Sequence, residues 1–61
     1  MIRYYKDFYG NTATIGQTLS GDWIVCINLF GGIRKTCYTL RAAEKALRSI
    51  SYGWREIDRV G

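Results

Sequence analysis

Trp23-Ile24-Val25-Cys26-Ile27-Asn28-Leu29-Phe30, then Gly31-Gly32, then Ile33-Arg34-Lys35-Thr36-Cys37-Tyr38-Thr39-Leu40, is the stretch that decides the fold. Both halves are rich in β-branched and aromatic residues. The diglycine between them supplies the positive φ that a two-residue hairpin turn needs. Placing the turn at Gly31-Gly32 sets Phe30 opposite Ile33, Cys26 opposite Cys37 and Trp23 opposite Leu40. Trp23, Val25, Ile27, Leu29, Tyr38 and Leu40 then share the more apolar face, which is assigned to the core. Cys26 and Cys37 form a hydrogen-bonded pair in this register, about 5.5 Å between Cα atoms. That distance permits a disulfide, but side-chain direction at such a site is poor. Nothing in the chain marks an oxidising compartment, so two free thiols packed as small hydrophobes are expected.

Working outward, Ile2 to Tyr9 alternates in the manner of a strand, Gly10-Asn11 is a hairpin turn, and Thr12 to Leu19 is the return strand. In this register Ile2, Tyr4, Lys6 and Phe8 oppose Leu19, Gln17, Ile15 and Ala13 on the core side. Arg3, Tyr5, Asp7 and Tyr9 fall on the reverse side, with Gly16 leaving a bare patch beside Tyr5. A three-residue loop at Ser20-Gly21-Asp22 keeps one continuous apolar face, because it sets Leu19 opposite Trp23 and Ile15 opposite Ile27. Past the central hairpin, Thr39 is a fitting N-cap. Leu40, Ala43, Ala46, Leu47 and Ile50 recur at helical spacing and would lie on the sheet, and Gly53 would stop the helix. Glu44–Arg48 is an i, i+4 pair. In the tail, Trp54 and Ile57 would tuck against the core and Val60-Gly61 would fray. The expected fold class is α+β, with a four-stranded antiparallel meander followed by one C-terminal α-helix packed on one sheet face. It forms a single domain, 1–61, with strands at about 2–9, 12–19, 23–30 and 33–38, a helix at about 40–51 and a tail at 53–61.

Sixty-one residues with two Cys and no His leave no disulfide framework or zinc spacing to support a small core. Self-association, as a dimer or higher oligomer, is the remaining common remedy. The net charge of +4 favours polyanions or acidic partners. No apolar run has the length of a membrane span and nothing reads as a targeting segment, so a cytoplasmic protein with no membrane partner is expected.

The reverse sheet face is the most informative surface. It would present Arg3, Tyr5, Tyr9, Phe30 and Lys35 among Thr and Asn side chains. Rings beside cations suit single-stranded nucleic acid, since bases stack on the rings and cations follow the phosphates. The same surface reads equally as cross-strand pairs that stabilise the sheet, or as a dimer interface around Ile24, Phe30 and Ile33. Arg41, Lys45 and Arg48 share one helix face, either as a phosphate-contacting stripe or as an ordinary solvated face. Catalysis has little support. Without His, a Ser or Cys nucleophile lacks its usual base, and the carboxylates are scattered where metal-dependent cleavage wants them clustered. No catalytic residue, metal or cofactor is assigned. A weak metal-dependent DNA nickase stays open, because self-association could bring carboxylates together.

Four short strands followed directly by a helix resembles the single-strand-binding transcriptional coactivator fold, and the resemblance implies dimerisation and nucleic-acid binding. A three-strand-plus-helix reading resembles instead the arm-type DNA-binding domain of phage integrases. Small basic proteins of this size are typical of phages and mobile elements. The expected function is nucleic-acid binding (DNA or RNA) of low sequence specificity by an oligomer. The rival is an inhibitor of anti-CRISPR type that acts on a host defence protein by binding it or by nicking DNA.

Overall fold

The computed structural model describes residues 2–57; the expected fraying of Val60-Gly61 lies outside them. The elements are β1 (Ile2–Lys6), β2 (Thr12–Gln17), β3 (Trp23–Ile27), β4 (Ile33–Cys37), α1 (Leu40–Ile50) and β5 (Arg55–Ile57). The fold is α+β, and the sheet is antiparallel. It has five strands in the order β4-β3-β2-β1-β5, so the expected four-stranded meander is short by one. The tail supplies the fifth strand. Arg55, Glu56 and Ile57 pair with Lys6, Tyr5 and Tyr4, which makes β1 an interior strand and removes the helix from the C-terminal position.

The first and third hairpins use longer connections than expected, the second keeps a three-residue loop shifted by one position, and the registers move accordingly. Asp7 and Asn11 close a three-residue loop, Phe8-Tyr9-Gly10, with Gly10 at φ 88. Thr18 and Asp22 close a second, Leu19-Ser20-Gly21, with Gly21 at φ 96. Both follow the usual form, a turn followed by a left-handed glycine. In the third hairpin Gly32 N–H bonds the Leu29 carbonyl, and the central residues Phe30 and Gly31 both have positive φ, 52 and 82. The turn is therefore one residue earlier than Gly31-Gly32, with an extra residue on the β3 side.

The β1–β2 and β3–β4 pairings slip by three residues. Lys6, not Tyr9, faces Thr12, and Ile27, not Phe30, faces Ile33. An odd slip exchanges the two faces of a strand. The β2–β3 pairing slips by two, with Gln17 facing Trp23, and keeps its faces. Cys26 consequently pairs with Arg34 and Cys37 with Trp23, so the two thiols sit on opposite sides of the sheet and cannot meet. Phe8, Leu19 and Tyr38, expected on the core side, are exposed at loops.

The core is Tyr5, Ala13, Ile15, Val25 and Ile27 from the sheet, with Ala43 and Leu47 from the helix. Each large aliphatic side chain here is worth about 1.5–3 kcal/mol of burial. Leu40 and Ile50 pack at the margin, as their spacing predicts. Thr39 caps the helix, its Oγ1 accepting from Ala42 N at 3.0 Å. The helix stops at Ile50, and Ser51 takes the cap position. Gly53, at φ 74, acts two residues further on, where a Cβ would stand 2.8 Å from Phe8 Cβ. Trp54 does tuck in, its Nε1 donating to the Leu47 carbonyl at 2.7 Å.

Candidate nucleic-acid interface

The helix covers one side of the sheet. The other side is open, and its composition follows from the register. One row across it runs Arg55, Lys6, Thr12, the next Ile57, Tyr4, Thr14, Cys26, Arg34, and the last Ile2, Gly16, Ile24, Thr36. No residue in these rows is buried. Three are cations (Lys6, Arg34 and Arg55) and none is a carboxylate. Lys6 and Arg55 are directly paired across neighbouring strands. Like charges in that arrangement repel, at a cost of a few tenths of a kcal/mol or more. A shallow groove of about 350 Å³ crosses the β2–β4 part of the face, bordered by Thr12, Thr14, Cys26, Asn28 and Arg34. Gly16 leaves no bare patch, because Ile2 lies across it, 3.4 Å from where a Cβ would be.

The residues expected to form one binding surface are dispersed. Tyr5 belongs to the core at 6% exposure, and a ring so placed cannot stack on a base. Arg3 lies on the helix side, its Nη1 3.4 Å from Glu56 Oε1. Lys35 is also on the helix side of its strand, opposite Val25. Tyr9 is exposed in the β1–β2 loop, edge-on to Phe8 and within hydrogen-bond distance of Tyr52, hydroxyl to hydroxyl, at 3.0 Å. Arg41, Lys45 and Arg48 do share an exposed helix face. It points away from the sheet, so it cannot join the open face in gripping one short ligand. The expected Glu44–Arg48 ion pair is not formed; among the described residues Arg3–Glu56 is the one ion pair.

Asp7 holds the β1–β2 loop in place. Its carboxylate, 1% exposed, accepts from Tyr9 N at 3.0 Å, Asn11 N at 2.7 Å, Asn11 Nδ2 at 3.0 Å and Ser51 Oγ at 2.7 Å. Burial works to raise its pKa, but the hydrogen bonds from Ser51, Asn11 and the backbone outweigh it and hold the carboxyl below the usual carboxylate value. Asp7 is thus committed to structure and supplies no carboxylate to the open face. Among the described residues no three His, Cys, Asp or Glu side chains converge as metal ligands. No helix among them is long and apolar enough to cross a membrane.

Tyr4, Lys6 and Arg55 went unread in the sequence as binding residues, whereas Arg34 belonged to the basic set weighed for phosphate contact. The signal that could have turned Tyr4 and Lys6 to the open face is the shared loop pattern Asp7-Phe8-Tyr9-Gly10-Asn11 and Thr18-Leu19-Ser20-Gly21-Asp22, whereas Arg55 had no such signal. In each, a polar side chain accepts a backbone N–H four residues on, ahead of a left-handed glycine. No family model, curated protein or solved structure matches the chain.

Proposed function

We propose that the open sheet face binds nucleic acid through its phosphates, with little sequence preference. The observation that carries this reading is the charge of the face: Lys6, Arg34 and Arg55 with no carboxylate among them, and Lys6 set directly beside Arg55. A polyanion relieves that repulsion and gains contact with all three cations. Tyr4, in the middle row between Ile57 and Thr14, offers a half-exposed ring for stacking on an unpaired base. Thr12, Thr14 and Thr36 add hydroxyl donors for phosphate or sugar. Sequence-independent binding needs no more than this.

The test is fluorescence anisotropy of a labelled single-stranded oligonucleotide. It compares wild type with a Lys6→Ala/Arg34→Ala/Arg55→Ala variant and a charge-matched Arg41→Ala/Lys45→Ala/Arg48→Ala variant. The first variant loses binding and the second retains it. Equal losses would mean that net charge, not this face, attracts the ligand.

A second reading is favoured by Ile2, Ile24 and Ile57, which stand incompletely covered on the same face. In it, the face is where two copies or a protein partner meet. Sedimentation equilibrium with Ile24→Glu tests it: dissociation of a wild-type dimer supports self-association through this face, and a wild-type monomer removes it.

A further inference from the structure

Phe8, Tyr9, Phe30 and Tyr52 are each more than half exposed, and the topology gathers them at one end of the molecule. In a meander the β1–β2 and β3–β4 loops lie at the same end, about two strand spacings, or roughly 10 Å, apart. The chain leaving α1 returns to that end, where Phe8 N–H donates to the Tyr52 carbonyl at 3.0 Å. Phe8 and Tyr52 stack with ring centroids 5.4 Å apart, and Tyr9 stands edge-on to both at 5.3 and 5.5 Å. The cluster is held in place: Asp7 fixes the loop from below, and Gly53 lets the tail pass against Phe8.

Folding does not account for this end. Contiguous exposed apolar surface marks interaction sites. Phe30 is a second, independent sign: it holds a bulky side chain at φ 52, in a turn position suited to Asn or Gly, and buries little of its ring in return. Strain kept without a gain in packing is a property of functional positions. The charge around the rings is one-sided. Lys6 and Arg55 form the row of the open face nearest this end, two strand residues, or about 7 Å, below Phe8. Arg48 is in the last turn of α1, which ends here. Of the described carboxylates, Asp7 is buried and bonded, Glu56 is engaged by Arg3, Glu44 is midway along α1, and Asp22 lies at the opposite end in the β2–β3 loop.

We infer that this end of the molecule binds the surface of an anionic lipid bilayer. Phe8 and Phe30 enter the acyl boundary, and the hydroxyls of Tyr9 and Tyr52 stay at the headgroups, where amphipathic rings prefer to lie. Lys6, Arg55 and Arg48 meet the lipid phosphates. Two convex prongs suit a deformable layer better than a rigid pocket. Rings packed within 5.5 Å of one another leave no slot for a nucleic-acid base, which needs about two stacking distances of 3.4 Å between its flanking rings. Contact of this kind needs no membrane span. The rings lie outside the rows assigned to nucleic acid, so the inference does not rest on that reading, although Lys6 and Arg55 serve both.

The experiment is co-sedimentation with vesicles of phosphatidylcholine alone and of an equal mixture of phosphatidylcholine and phosphatidylglycerol. Wild type should bind the mixed vesicles and not the neutral ones. Phe30→Asn should weaken that binding about ten-fold or more while the thermal midpoint holds or rises, so the loss is not unfolding. Phe8→Ser should weaken it comparably. Lys6→Ala/Arg55→Ala should weaken it about thirty-fold, at the usual gain per cation near an anionic surface. No binding to the mixed vesicles would overturn the proposal, as would equal binding to both vesicle types. Undiminished binding by both Phe30→Asn and Phe8→Ser would overturn it too, since charge alone would then suffice. If wild type ignores vesicles and Phe30→Asn weakens binding of an oligothymidine instead, the rings belong to the nucleic-acid site and the lipid reading falls.

Discussion

Arg34 and Lys35 are adjacent, and replacing either with Ala removes one positive charge from the same short strand. Net charge and composition then differ little between the two variants, and what separates them is the side of the sheet. Arg34 stands on the open face opposite Cys26, and Lys35 stands on the helix side opposite Val25. Each phosphate neutralised on a single strand contributes about 0.7 to the slope of log affinity against log salt. Three contacts, from Lys6, Arg34 and Arg55, set a slope of about −2.1, so raising salt from about 50 to 200 mM weakens wild-type binding about 18-fold. Arg34→Ala leaves two contacts, a slope of about −1.4 and a loss of about 7-fold over the same range. Lys35→Ala should keep the wild-type slope. Anisotropy titrations of a labelled oligothymidine at four salt concentrations resolve these slopes. If Lys35→Ala flattens the slope as much as Arg34→Ala, the face-specific reasoning is wrong. A wild-type slope near zero removes phosphate contact altogether.

Four further outcomes follow from the fold. Ile15 is fully buried between strands and helix; Ile15→Ala should cost about 2–5 kcal/mol in urea denaturation, a large part of the roughly 3–9 kcal/mol expected of so small a domain. A cost below 1 kcal/mol would contradict its place in the core. Phe30 has φ 52 and is 83% exposed, so Phe30→Asn should stabilise by about 1 kcal/mol by relieving left-handed strain; destabilisation would show that the ring packs. Gly10 and Gly53 both have positive φ, but only Gly53 has backbone within 3.1 Å of its would-be Cβ. Gly10→Ala should therefore cost about 1–2 kcal/mol and Gly53→Ala clearly more, and the reverse ranking would refute the close approach to Phe8. The Asp7 carboxyl is held below its unfolded value; its contribution is present above the unfolded carboxylate pKa of about 3.9 and is lost as pH falls through the folded value. Thermal midpoints of wild type should drop between pH 5 and 3 more steeply than those of Asp7→Asn, and parallel curves would show that Asp7 does not carry the acid sensitivity.

Much of this architecture was legible in the chain. The β-branched alternation of Trp23 to Ile27 marks a strand, the Leu40, Ala43, Leu47 and Ile50 spacing marks a helix resting on the sheet, and Thr39 marks its start. These depend on local preference and on the period of apolar residues, which are properties of sequence. The fifth strand was not legible, because Arg55-Glu56-Ile57 is too short and too charged to form a strand alone. It becomes one by pairing with β1, after Gly53 has carried the chain past Phe8.

The faces were likewise settled by tertiary structure, and the reason lies in two short runs. Arg3-Tyr4-Tyr5-Lys6 reads cation, ring, ring, cation, so either register places one tyrosine and one cation on each side of the sheet. Arg34-Lys35 has the same symmetry. Local pattern cannot choose between the two arrangements, since their compositions are nearly equal. Loop closure at Asp7–Asn11 makes the choice, together with the packing of Tyr5 beneath the helix. The sequence alone determined that each side of β1 would carry one tyrosine and one cation. Which tyrosine and which cation face solvent depended on an odd slip of register, which turns every side chain of a strand to the opposite face.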